Sequence, residues 1–223
     1  MKLKSFTLAE MLVVMTVVAI LAMLTIPTVV KTNRARAYSD MLDKIYEKIE
    51  TAMILDKIFG LEVGSYGISS IDKTMKTKAF FELLNEKLKV IKNCDLSDEG
   101  CFNSDNLQGY KLRLISGAGI LVNDDYRGEY DPVDGNNRIL GSTYIDIDGP
   151  IGPNRPGADQ FGFYTTSKGL IPMGGPQDNL MKFSTCLDDG GFACTAWVLV
   201  NKNMDYNNCP KVLNWETRLR CEQ

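Results

Sequence analysis

Between Met11 and Val30 the chain is apolar apart from three threonines and one proline. Twenty such residues, at about 1.5 Å of rise each, match a hydrocarbon core of about 30 Å. Beyond this run the pattern becomes periodic. Tyr38, Met41, Leu42, Ile45, Tyr46, Ile49, Ala52 and Met53 recur at spacings of three and four, with Asp40, Asp43, Lys44, Glu47, Lys48 and Glu50 between them. That is one apolar stripe of an amphipathic helix, continuous with the apolar run and in need of a cover. Gly60, Gly64 and Gly67 break the pattern and place the helix end near Gly60. Phe80, Leu83, Leu84, Leu88 and Ile91 repeat the helical spacing and predict a second helix from Asp72, or slightly later, to Ile91.

From Tyr110 the period becomes two. Tyr110, Leu112 and Leu114 alternate with Lys111 and Arg113, and Tyr144–Asp148, Phe161–Thr165 and Ala193–Val200 are further strand candidates between Gly- and Pro-rich turns. Helices first and strands later predict an α+β fold with a meandering antiparallel sheet rather than βαβ units. Neither an internal repeat nor a linker long enough for a second domain is present, and the chain beyond the apolar run suffices for one core.

One acid interrupts the simple picture of a membrane span. Glu10 lies just inside the apolar segment, where a carboxylate is either interfacial, facing the positive end of the helix dipole, or provided with a partner. Lys2 and Lys4 precede it with no acid, which by the positive-inside rule predicts a single pass with the N-terminus in the cytoplasm and the C-terminus outside. The stretch Ser5-Phe6-Thr7-Leu8-Ala9-Glu10, followed by the apolar helix, resembles the cleavage and methylation motif of type IV pilins and type II secretion pseudopilins.

The resemblance implies cleavage by a prepilin peptidase between Ser5 and Phe6 and N-methylation of Phe6. Glu10 then becomes the fifth residue of the mature chain, where the family carries its glutamate. Pro27 becomes the twenty-second, where many members carry a kinking proline. Ser5 stands where the family usually has glycine. The implied layout is a leader at 1–5, a transmembrane and polymerisation helix at 6–30, and an extracytoplasmic pilin-like domain at 31–223 that includes the continuing helix packed on a small antiparallel sheet. Implied partners are the prepilin peptidase, the cytoplasmic membrane, the pilus or secretion assembly machinery, and other pilin-like subunits in a homo- or hetero-oligomer. Glu10 would meet the ammonium of a neighbour's Phe6, whose charge methylation preserves, and so set subunit stagger. Pilus and pseudopilus, and major and minor subunit, remain open. The alternatives are a membrane-anchored extracytoplasmic binding module that does not polymerise and a secreted protein cut after Ala35-Arg36-Ala37, though the apolar run is long for a signal peptide.

Composition narrows the chemistry. The chain has no histidine, so no Ser-His or Cys-His catalytic pair exists, and its formal charge of −3 carries no nucleic-acid footprint. An enzyme is not expected. Gly117-Ala118-Gly119 reads as a hairpin turn between strand-like segments rather than a dinucleotide site. Asp124, Asp125, Glu129, Asp131 and Asp134 read as a solvated loop. Six cysteines allow fifteen connectivities. The local pairs Cys94 with Cys101, Cys186 with Cys194 and Cys209 with Cys221 are the least demanding in an extracytoplasmic domain, and their spacings do not suit zinc. The Cys209–Cys221 pair would hold down a tail whose Leu213, Trp215 and Leu219 cover the sheet edge or a neighbouring subunit. Cys194-Thr195-Ala196-Trp197-Val198 is similar to the last core strand of some pilin-like proteins.

Hard oxygen donors gather once. In Tyr144-Ile145-Asp146-Ile147-Asp148-Gly149, strand alternation points Asp146 and Asp148 to one face, and the following Gly- and Pro-rich turn returns Asn154 and Asp159. Such donors suit Ca²⁺, although the segment lacks the spacing and closing Glu of an EF-hand, and the same residues are ordinary turn formers. No other cofactor is expected.

Overall fold

A computed structural model describes residues 7–58, 73–96, 100–104, 106–123, 135, 138–166 and 168–221. Helix α1 covers Leu8–Ile58 and α2 covers Lys73–Lys87. Six strands follow: β1 (Val90–Asp95), β2 (Tyr110–Leu114), β3 (Gly119–Asn123), β4 (Ile139–Asp146), β5 (Gln160–Thr166) and β6 (Gly169–Pro172). Two short helices, α3 (Phe183–Asp189) and α4 (Thr195–Asn201), precede the C-terminal turns. The fold is α+β, with the strands in sequential antiparallel order β1 to β6. The chain divides into two compact units, Met1–Ala37 and Tyr38–Gln223.

In the second unit the amphipathic part of α1 behaves as its pattern requires. Leu42, Ile45, Ile49, Ala52 and Met53 are buried. Tyr46 stacks on Phe163 of β5 with ring centroids 5.6 Å apart, and its hydroxyl donates to the Leu170 carbonyl of β6 at 3.3 Å. Phe81 of α2 meets Tyr110 of β2 on the same face of the sheet. The opposite face, which carries Leu121, Tyr144 and Tyr164, is covered by loop residues including Phe102, Met173 and Phe192. The central strands β3 to β5 are therefore buried on both sides, and β5 has no exposed residue. Phe183, Trp197 and Trp215 form an aromatic cluster beyond it.

All three local disulfides form, with Cα separations of 6.2, 5.0 and 5.7 Å in chain order. The hairpin joining β2 and β3 turns at Gly117, whose φ of +93° suits glycine.

Four expectations need correction. The second helix stops at Lys87, and Ile91 is an exposed residue of β1, because the segment pairs with β2 through Val90–Leu114 and Lys92–Arg113, with Ile91 at the irregularity between them. Ala193–Val200 is helical, not a strand. A short, continuously apolar run fits either state by pattern, and here burial of Trp197 against Phe183 decides. Strand β4 ends at Asp146, so Asp148 lies in the following turn rather than on the strand. In the C-terminal tail, Trp215 packs on Trp197 and Phe183 rather than on the sheet edge. The expected helix end near Gly60 and the acidic run Asp124–Asp134 lie outside the described residues.

Candidate functional site

Two places among the described residues are candidates for functional chemistry. At the start of α1, Thr7 and Glu10 close a reciprocal cap. Thr7 N donates to Glu10 Oε2 at 2.8 Å, Thr7 Oγ1 donates to the same oxygen at 2.8 Å, and Glu10 N donates to Thr7 Oγ1 at 3.3 Å. This is a capping box, which satisfies amides that a helix start leaves without intrahelical acceptors. Thr-x-x-Glu before an apolar run is its sequence signature, a signal that the membrane reading of Glu10 passes over. Both bonds to the carboxylate fall on Oε2, and a carboxylate offers about four acceptor sites, so a further donor can be received. Leu8–Ile26 has a mean hydropathy of 2.4 and is long and apolar enough to cross a membrane. Its large apolar side chains are exposed, from Leu8 and Met11 to Leu24 and Ile26. Ser5 and Phe6 lie outside the described residues, as does the side chain of Pro27.

The second place is the connection between β4 and β5. Asp146 ends β4 and pairs in register with Gln160, which opens β5. The intervening segment passes a 3₁₀ turn at Gly149–Ile151, takes Asn154 through a left-handed φ of 51°, and returns at Asp159. Asp159 shapes this return, since its Oδ2 accepts from Asn154 N at 2.8 Å and its Oδ1 from Arg155 N at 2.7 Å. The segment is anchored from outside as well. Gly149, at φ +67°, approaches the Gly117 carbonyl so closely that a Cβ would lie 2.3 Å from the oxygen. Tyr206 donates its hydroxyl to the Gly157 carbonyl at 2.6 Å.

One oxygen each from Asp146, Asp148 and Asp159 lie within 4.8 Å of one another. Asp146 and Asp159 are completely buried. Asp146 Oδ2 accepts from Gln160 Nε2 at 3.0 Å, while Asp146 Oδ1 is buried and accepts no hydrogen bond. Tyr38 of α1 donates its hydroxyl to Asp148 Oδ2 at 2.5 Å. Burial pushes the Asp146 carboxyl up to about 7, and the charges of Asp159 and Asp148 add to that rise against the bonds from Gln160 and the Gly149 amide. Burial also raises Asp159, opposed by the Arg155 and Asn154 amides. One end of the Asn154 amide lies 2.9 Å from Gly149 O and 3.1 Å from Asp146 Oδ2. Both of those are acceptors, so without a cation the amide NH₂ group occupies that end.

All four donors expected from sequence, Asp146, Asp148, Asn154 and Asp159, thus meet in one place, through the turn rather than through strand alternation. Sequence reasoning did not reach Tyr38, 110 positions before its partner, for which no local signal exists. It also missed Gln160, which strand register brings beside Asp146. Such a set can either retain protons or hold a hard cation. Comparison of the chain with protein-family models, with curated proteins and with solved structures gave no match in any of the three.

Proposed function

We propose that this chain is a structural subunit of a type IV pilus or a type II secretion pseudopilus. In this reading a prepilin peptidase cuts between Ser5 and Phe6, Phe6 is N-methylated, and the subunit leaves the cytoplasmic membrane for an extracytoplasmic filament packed through its N-terminal helices. The observation that supports it best is the division of α1. One continuous helix carries an exposed apolar stretch at Leu8–Ile26 and a later stripe, Leu42 to Met53, buried in the sheet-bearing unit. A bilayer and the helices of neighbouring subunits are two environments that cover such a stretch in turn. The Ser5–Glu10 motif adds the processing chemistry.

The test combines processing with fractionation, in cells that hold an active prepilin peptidase and assembly system. Intact mass should show a chain that starts at methylated Phe6, and shearing should release the protein from the cell surface in filaments. Retention of Met1 would overturn the processing step. A processed chain confined to the membrane fraction would favour the anchored binding module that does not polymerise.

A further inference from the structure

We propose that the end of the sheet at which α1 enters is a lipid-facing surface, where Ile115 and Ile151 enter the headgroup region of an anionic bilayer and Lys89 and Arg155 meet its phosphates. The inference rests on the reading of Leu8–Ile26 as a membrane span, in either orientation, and is independent of filament assembly.

Strand register assembles this surface from three parts of the chain. Val90 pairs with Leu114, Gly119 with Asp146 and Asp146 with Gln160, so the start of β1, the β2–β3 turn and the β4–β5 connection share one end of the sheet. Ile115 N donates to the Lys89 carbonyl at 2.8 Å. The two turns touch, since a Cβ on Gly149 would collide with the Gly117 carbonyl. Helix α1 arrives at the same end, where Tyr38 donates its hydroxyl to Asp148.

These turns expose apolar tips beside cations. Among the described residues of the sheet-bearing unit, the two most exposed large apolar side chains are Ile151 at 79% and Ile115 at 68%, and both lie here. Isoleucines exposed singly are ordinary, but two at the tips of adjoining turns form a surface that another phase can cover. Lys89 and Arg155 are exposed at the same end, and among the described residues neither side chain forms a hydrogen bond or an ion pair. The neighbouring acids are already engaged. Asp146 and Asp159 are buried, Asp148 receives Tyr38, and Glu86 at the end of α2 pairs with Lys87. Apolar tips with free cations beside them suit an anionic lipid surface, which takes the first into its headgroup layer and pairs the second with phosphate.

The chain itself selects this occupant. Eleven residues, 27–37, separate Ile26 from Tyr38, and such a connection reaches at most about 40 Å when fully extended. A bilayer that holds the apolar stretch is therefore tethered within reach of this end, at high effective concentration. The charged residues of the connection are Lys31, Arg34 and Arg36, and no acid precedes Asp40, so the approach to the unit favours the same anionic headgroups.

The experiment places the full chain in nanodiscs of phosphatidylcholine, alone or with roughly three parts in ten of phosphatidylglycerol, and follows hydroxyl-radical labelling of single side chains by mass spectrometry. Ile115 and Ile151 should label about threefold less in the anionic discs. Ile54, exposed on α1 sixteen positions beyond Tyr38, should label equally in both. Lys89→Gln combined with Arg155→Gln should restore the labelling, because each cation near the surface contributes about fivefold to docking, and roughly 0.5 M salt should do the same by screening. Ile151→Ser should raise the labelling of Ile115. Amide exchange in β4 and β5 checks that each variant is folded, and exchange over Leu8–Ile26 reports whether the span is inserted. An inserted span with equal labelling of Ile115 and Ile151 in the two discs would overturn the lipid contact and leave the membrane reading standing, whereas a span that stays outside the bilayer would overturn both. Protection that survives neutralisation of Lys89 and Arg155, or that follows the number of chains per disc rather than the anionic lipid, would replace the lipid surface by a second copy of the chain.

Discussion

Replacing Glu10 by glutamine preserves the shape of the capping box and removes its charge, which separates the two roles open to this residue. In the isolated chain Glu10 Oε2 accepts two bonds from Thr7 at 2.8 Å. Glutamine accepts the same bonds at this helix position, so Glu10→Gln should leave the first turn within a few tenths of a kcal/mol of the parent. Thr7→Ala instead deletes the cap and costs about 1 kcal/mol, felt as fraying of one turn in a 51-residue helix. A packed filament behaves differently. If Glu10 faces the methylated ammonium of a neighbouring Phe6, the glutamine variant leaves that cation buried without its partner, at about 3–5 kcal/mol. At about 1.4 kcal/mol per tenfold, association falls by two to three orders of magnitude. The assay measures sheared filaments from cells expressing each variant, with intact mass confirming that cleavage and methylation proceed. Amide exchange of the detergent-solubilised subunit reports the first turn. The expected order of filament yield is parent, then Thr7→Ala slightly below it, then Glu10→Gln near zero. Parent-level yield from Glu10→Gln, or an equal loss in Thr7→Ala, would refute charge pairing and leave Glu10 as a helix cap.

Two further outcomes concern the sheet-bearing unit. Burial pushes the Tyr46 hydroxyl up to about 12, with Glu50 and Asp43 adding to the rise; the folded chain therefore keeps a proton that the unfolded chain loses near pH 10, and stability should fall by at most about 2.7 kcal/mol as pH rises from about 10 to about 12. Tyr46→Phe should remove that component of the slope in denaturant melts at successive pH values, at a constant cost of about 1 kcal/mol for the lost bond to Leu170. Replacing Cys209 and Cys221 together by serine should lower stability by about 2–3 kcal/mol, as closure of this short loop implies; tryptophan fluorescence of the Trp197–Trp215 cluster during unfolding is the readout, and coincident midpoints would show that the bridge contributes nothing.

Legibility in the sequence followed the range of the interactions. The stripe from Leu42 to Met53 was readable because a helix buries residues three and four apart whatever receives them. The three disulfides were readable as local pairs because short loops close at low entropic cost. The hairpin at Gly117 announced itself through its glycines. Strands β1 and β6 were missed for the opposite reason. Val90–Asp95 has mostly exposed side chains at the sheet edge and no clear alternation, and Gly169–Pro172 is four residues long. Both are strands by virtue of the neighbour they pair with.

The candidate cation site divides along the same line. Sequence alone supplied the four oxygen-bearing residues, since Asp, Asn and Gly in a turn limit what chemistry can occur there. It also determined the long α1 helix with its change from apolar to amphipathic character, because both patterns are local. Tertiary structure decided that Ala193–Val200 is a helix, since a continuous apolar run satisfies either period and only its packing against Phe183 selects one. It likewise decided that Asp148 turns off the strand to meet Tyr38, and that Asp146 is buried with an oxygen lacking a donor. Those features arise from contacts between residues about a hundred positions apart in the chain, or from exclusion of water by the whole fold. No short window of sequence encodes either, because desolvation and long-range pairing are properties of the assembled core.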